Sequence, residues 1–284
     1  MKGSEWPPLE RHNEPPLTEK EQELLSVYKT LHQNSLPDNK NIRYKLEHAQ
    51  KVRDLDIQFG DPTERSILFD RMVFAHKRWW GEHVEAYRSA KYDDYVNGAD
   101  LILEFLSEEN ERLGLLALDT SICNTETLGE KYNKIYNKIE KGELGTLEYG
   151  PTLDGSLEGE EFAHYKDIPQ AVLVISPQTL EWYASNEVTD ETLQAIALWE
   201  VRNQLSEQKF YIENLPQLSA TRKQELIEKI ESILNIIEVQ IEDKKIPPVD
   251  PGVRDAIVPY ATDPIQMQKI CPRLKVPYSS SGTR

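Results

Sequence analysis

"YDDYVNGADLILEFLSEENERLGLLALDTS", residues 92–121, decides the fold. Two apolar runs, Leu101-Ile102-Leu103 and Leu115-Leu116-Ala117-Leu118, flank the charged connection "LSEENERL", residues 106–113. Short apolar runs separated by polar turn residues read as paired strands. A hairpin centred on Glu109 and Asn110 sets Asp100, at the start of one strand, opposite Asp119, at the end of the other. Residues opposed across an antiparallel pair point to the same face, where like charges are destabilising. Something must offset that repulsion. A divalent cation is one answer, since Mg²⁺ takes a few carboxylate oxygens and keeps several waters. A solvated or protonated carboxyl without any metal is the other. Each aspartate could also serve only to cap a turn at its strand end.

Working outward, "GDPTERSILFDRMVFAHKRWWGEHVEAYRS" places Asp61 as N-cap, Pro62 at the first helical position and Glu64 three residues after the cap. That is a capping-box arrangement, and it predicts a helix persisting to Tyr87 or Arg88. "YDDYV" is then all that remains for a strand before Asp100, with Asp94 either joining the acidic pair or ending the connection. A helix over 128–141, capped by Thr127, turns Leu128, Tyr132, Ile135 and Ile139 inward and leaves Lys131 flanking that face. A strand is expected at 144–149 and a surface loop over "GPTLDGSLEGEEF". "AVLVIS", residues 171–176, reads as a strand buried on both faces. A short helix follows at 178–185. The long helices 190–213 and 220–243 are joined by "NLPQLSA" into an antiparallel hairpin.

Upstream, residues 1–17 read as a flexible, Pro-rich terminus and 18–60 as N-terminal helices, the first started by Thr18 and the second over about 40–55. The core spans 61–185, the helical hairpin 186–245, and a Pro-rich tail expected to be disordered 246–284. A formal net charge of -16 argues against nonspecific adhesion to phosphate backbones or anionic membranes, so any nucleic-acid contact is local. No window suits a membrane span. Cys123 and Cys271 stand far apart, outside disulfide or zinc spacing, which fits a reducing, cytoplasmic setting.

The strand ends resemble the PD-(D/E)XK nuclease superfamily, including its RecB-like branch. Similar bacterial proteins of uncharacterised function carry "YDD" and "NG-D" before a strand ending in "D-T". The resemblance covers about residues 61–185. It implies an α/β, restriction-endonuclease-like core: a leading helix, an antiparallel strand meander, a crossover helix and a further strand. It also implies that Asp100 in "NGADLILEF" and Asp119 in "LGLLALDTS" hold Mg²⁺, with Mn²⁺ as a substitute, and that Glu64 matches the family's helical glutamate. The family's lysine, two residues after the second acid, is replaced by Ser121, which lacks an ammonium. Lys131 on the following helix is the candidate to take its place in orienting the attacking water. The implied activity is Mg²⁺-dependent phosphodiester hydrolysis. The alternative is a catalytically inactive scaffold that binds a protein partner, or itself, through 190–243.

Other features have plainer readings. His76 and His83 are seven residues apart without a metalloprotease spacing, and read as core or boundary residues. Trp79 and Trp80 could stack on single-stranded bases or enter the core. Lys131, Lys134, Lys138 and Lys141 are interleaved with Glu130 and Glu140, as on a solvated helix. There is no Gly-rich phosphate loop and no GxSxG nucleophile setting.

Overall fold

The computed structural model describes residues 16–32, 45–59, 63–122, 125–152 and 162–243. Three helices, α1 (Glu19–His32), α2 (Leu46–Phe59) and α3 (Glu64–Ala75), precede the sheet. The strands are β1 (Val84–Arg88), β2 (Leu101–Leu106), β3 (Arg112–Ile122), β4 (Gly145–Gly150), β5 (Ala163–Ile168) and β6 (Gln170–Ile175). α4 (Thr125–Glu140) links β3 to β4, and α5 (Pro177–Ala184), α6 (Asp190–Glu213) and α7 (Ala220–Asp243) complete the described chain. The main sheet runs β1-β2-β3-β6, antiparallel across the first two junctions and parallel at β3/β6. β4 and β5 form a separate antiparallel pair. The result is a mixed α/β fold with a mixed four-stranded sheet and a C-terminal helix pair. Among the described residues no helix is long and apolar enough to cross a membrane.

The hairpin register follows from its two apolar runs. Leu101 lies opposite Leu118 and Phe105 opposite Gly114, after which the pairing slips by one residue at Leu106. Asn110 adopts a left-handed φ of 61° in the connection, and Ser107 Oγ accepts from the amides of Glu109 and Glu111. Alternation then separates the two faces of the sheet. Leu101, Leu103, Phe105, Leu116 and Leu118 enter the main core with α3 and the C-terminal helices, whereas Ile102, Leu115 and Ala117 pack against Leu147 and Ile168 of the β4/β5 pair.

Several expectations are corrected. α3 stops at Ala75 instead of reaching Arg88, and its N-cap is Thr63, whose side chain accepts from the amide of Ser66; Asp61 and Pro62 lie outside the described residues. After a 3-10 turn, Lys77–Trp80, Gly81 takes a φ of 141°, which favours glycine and ends the helical path. Val84–Arg88 then pairs with β2, burying Val84 and Ala86 at strand spacing, so this segment is the first strand. "YDDYV" instead contributes to a π-helical turn, Asp93–Asn97. α4 begins at Thr125, which puts Thr127 inside the helix, and β5 was not anticipated. Leu17, assigned to a flexible terminus, is buried in the main core. Residues 1–15, the loop residues 153–161, the tail 246–284 and both cysteines lie outside the described residues.

α1 opens with a reciprocal capping pair: the Glu21 amide donates to Thr18 Oγ1 at 3.3 Å and the Thr18 amide to Glu21 Oε2 at 2.8 Å. The fully buried Glu21 also takes two hydrogen bonds from Arg65 of α3, fastening α1 to the core.

α6 and α7 are antiparallel, as Arg202–Glu238 at 3.3 Å and Lys209–Glu231 at 2.6 Å demonstrate. α6 also closes the sheet edge. Glu200 and Gln204 accept from the amides of Val174 and Val172, while Gln204 and Gln208 donate to the carbonyls of Val172 and Gln170. Four residues of helix advance about 6 Å and two residues of strand about 6.6 Å, so the polar ladder stays in register with the edge. Covering an edge in this way removes a template for intermolecular pairing.

Glu200 is the costly rung. Burial pushes its carboxyl well above the ordinary range, against the opposing pull of the Val174 amide. Above about pH 4.5 the unfolded chain releases this proton while the native state retains it, so stability falls as pH rises through the interval. Glu200→Gln keeps an acceptor without the charge. Its melting temperature is expected to match the wild type near pH 4 and to exceed it increasingly toward pH 8, by about 1.4 kcal/mol for each unit of upward shift. Thermal denaturation across that range checks this, and a pH-independent difference would contradict it.

Candidate functional site

The acidic strand end is built from β2, β3, α4 and the π-helical turn. The Asp100 amide donates to the Leu118 carbonyl at 2.8 Å, continuing the ladder and bringing Asp100 beside Asp119. Asp100 Oδ2 accepts from both the amide (2.7 Å) and the hydroxyl (3.1 Å) of Thr120. Asp119 Oδ1 accepts from Lys131 Nζ. Lys131 reaches it because α4 buries Leu128, Tyr132, Ile135 and Ile139, which leaves Lys131 on the flank facing the strand end and Lys134 exposed.

Charge is crowded here. Burial raises the Asp119 carboxyl to about 6, with Asp100 adding to the rise and Lys131 and Lys134 opposing it. Asp94, hydrogen-bonded to Asp100, is raised well above the carboxylate range by burial, by Asp100 and by Asp119, against Lys131. A hydrogen bond between two carboxyl groups requires a proton on one of them. Both of the devices anticipated for offsetting opposed carboxylates, a protonated acid and a neighbouring cation, are therefore present in the protein's own side chains.

The π-helical turn that presents Asp94 is pinned from several sides. The fully buried Asp93 accepts from the amides of Glu148 (2.8 Å) and Tyr149 (2.9 Å) and from Asn97 Nδ2 (2.6 Å). The Asn97 carbonyl accepts from Lys138 Nζ at 3.1 Å and Gln170 Nε2 at 2.9 Å. Burial lowers the Lys138 ammonium to about 8, and Lys134 contributes in the same direction. On the outer side, Asp56 of α2 accepts from Lys91 and Tyr95. Gly98 ends the turn at a φ of 69°, and a Cβ there would lie 3.6 Å from Asp119 Oδ2. Both the conformation and the close approach suit glycine. Single-turn π-helical insertions are frequent at functional sites, although this one alone does not define an activity.

Asp100, Asp119 and Lys131 are thus brought together, whereas Glu64 is exposed at the first position of α3. The α3 carboxylate connected to the site is Asp70, six residues or about 9 Å further along the helix, which pairs with Arg88 of β1. Asp70 and Arg88 escaped sequence reasoning because Arg88 had been placed on the extended helix, not on a strand beside Asp100. Trp79 and Trp80 are buried in the core and are not presented for base stacking. His76 stacks on Trp79 and bonds Tyr28 at 2.7 Å, a boundary role, and His83 is exposed.

Among the described residues, no group of three or more His, Cys, Asp or Glu is arranged to hold a metal ion. Two hard carboxylates at adjacent strand ends nevertheless suit Mg²⁺, which commonly binds through one or two carboxylates and retains water. Comparison with family models, curated proteins and solved structures finds no match.

Proposed function

We propose that this chain is a Mg²⁺-dependent nuclease of the PD-(D/E)XK type, or a descendant of one. The observation that carries this reading is the bond from Lys131 to Asp119 beside Asp100: an ammonium from α4 stands near the strand end, where Ser121 supplies none. Asp100 and Asp119 would hold Mg²⁺ or Mn²⁺. When bound, such an ion supplies Lewis-acid activation and charge stabilisation at a phosphodiester. Lys131 holds and orients the attacking water, and the Thr120 amide and hydroxyl keep Asp100 in place. Glu64 is set apart from this arrangement, and Asp70 is the α3 acid linked to it through Arg88. The substrate approaches by local contact, since the overall charge repels nucleic acid, and the exposed Lys134 is the nearby cation for that purpose. The cytoplasmic assignment accords with the widely spaced cysteines.

A second reading draws on the same bond. Lys131 already neutralises Asp119 in part, and Asp94 can share a proton with Asp100, so the cluster can persist in a catalytically inactive scaffold. Partner binding or self-association would then use the outer face of α6 and α7, where Trp199, Phe210 and Val239 are exposed.

Calorimetry with Mg²⁺ and Mn²⁺ on the wild type and on Asp100→Asn/Asp119→Asn, with single-stranded and duplex cleavage assays on the same preparations, separates the two. The nuclease reading expects binding and cleavage in the wild type and loss of both in the double variant. No site-dependent binding and no cleavage would leave the scaffold.

A further inference from the structure

Arg88 approaches the acidic strand end from the side opposite α4. Its Cα partner in the sheet is Leu101, the residue after Asp100, and the amide of the following Ser89 donates to the Asp100 carbonyl at 3.0 Å. The Arg88 guanidinium pairs with Oδ2 of Asp70, which is 8% exposed. Asp70 Oδ1 is buried without a hydrogen-bond partner. A buried ion pair with acceptor capacity left unused is a poor device for stability, because desolvating both charges is only partly offset. The arrangement makes better sense as a charge held at a chosen place. Burial lowers the Arg88 guanidinium, while Asp100 and then Asp94 pull it back up, so both site carboxylates lie within its field.

We infer that Arg88 is a positioning residue for the acidic site: a counter-charge, anchored by Asp70, that sets how strongly Asp94 and Asp100 attract a divalent cation. This rests on the reading that Asp100 and Asp119 hold such an ion. Two substitutions then act in opposite directions. Arg88→Gln retains a hydrogen-bonding group for Asp70 but removes the positive charge that competes with the cation. Asp70→Asn is nearly isosteric and leaves Arg88 with the site carboxylates as its remaining anionic neighbours, which strengthens that competition. A purely structural pair would show no such reversal, because disrupting it from either end loosens the same packing.

The test is calorimetric titration of the full-length chain with Mn²⁺ alone, at fixed pH and ionic strength, with thermal denaturation of each variant to establish folding. Arg88→Gln is expected to tighten Mn²⁺ binding and Asp70→Asn to weaken it, each on the order of tenfold, the scale of one unit charge acting through a partly screened medium. Arg88→Lys, which keeps the charge, should bind close to the wild type and serves as the reference should Arg88→Gln fold poorly. Wild-type binding with both affinities unchanged, or both weakened, overturns the positioning role alone. Absence of site-dependent binding in the wild type overturns the metal-site reading and this inference with it.

Discussion

Lys131→Met is expected to bind a divalent cation more tightly than the wild type and to cleave nucleic acid roughly 10²–10⁴-fold more slowly, the usual range for loss of a positioned proton-transfer group. The two effects have one origin. The Lys131 ammonium now donates to Asp119 Oδ1, and it opposes the rise of that carboxyl produced by burial and by Asp100. Removing it leaves Asp119 with less competition for a cation, which favours binding. The same substitution deprives the strand end of the ammonium that Ser121 does not provide, which removes the means of orienting water. Methionine keeps most of the aliphatic stem, so the packing of α4 beside β3 should change little. Metal titration and a cleavage assay on the same protein check the prediction. A fall in ion affinity together with the rate would mean that Lys131 chiefly maintains the fold of the site. An unchanged rate would remove it from the mechanism.

Arg112→Met is expected to destabilise the protein by about 3–5 kcal/mol, the range for stranding one partner of a buried ion pair. Arg112 begins β3 and bonds Glu104 of β2, whose side chain is 5% exposed. It also donates to Tyr165 Oη of β5 and, at 3.1 Å, to the Thr152 carbonyl. Glu104 receives a further hydrogen bond from Tyr87 of β1 at 2.9 Å, and Tyr165 donates to the Pro151 carbonyl at 2.6 Å. One guanidinium therefore ties the main sheet to the β4/β5 pair. Without it, Glu104 keeps Tyr87 but loses its neutralising charge in a dry setting. The melting temperature should fall by roughly 10 °C, given about 2–4 °C per kcal/mol for domains of this general size. Glu104→Gln/Arg112→Met should recover much of the loss, because it removes the stranded charge as well. A double variant no more stable than the single one would point to the Tyr165 and Thr152 contacts as the main contribution.

These two residues illustrate how differently site and scaffold could be read in advance. Lys131 could be singled out because helical spacing alone separates it from Lys134 relative to the Leu128 and Ile135 face. Arg112 could not, because its partners come from β1, β2, β5 and the segment after β4. Nothing near it in the chain announces that Glu104 faces inward on a strand otherwise filled by apolar residues. Asp94 lies between these cases: visible beside the strand end, but joined to Asp100 only by the π-helical turn.

By itself, the sequence determined the elements whose patterns are local and strong. Two apolar runs around a polar connection specified β2, β3 and the register that sets Asp100 beside Asp119, because a one-residue slip would turn every core side chain outward. Apolar stripes bounded by turn residues specified α6 and α7 within their observed limits. Tertiary structure decided β1, whose residues carry both helical and strand features and become a strand by pairing with β2. It also decided β5, the Arg88–Asp70 contact, and the α6 ladder that buries Glu200, Gln204 and Gln208 along β6. The physical reason is that local preferences amount to under about 1 kcal/mol per residue, so a sheet edge or a buried charge supplied from elsewhere in the chain can override them.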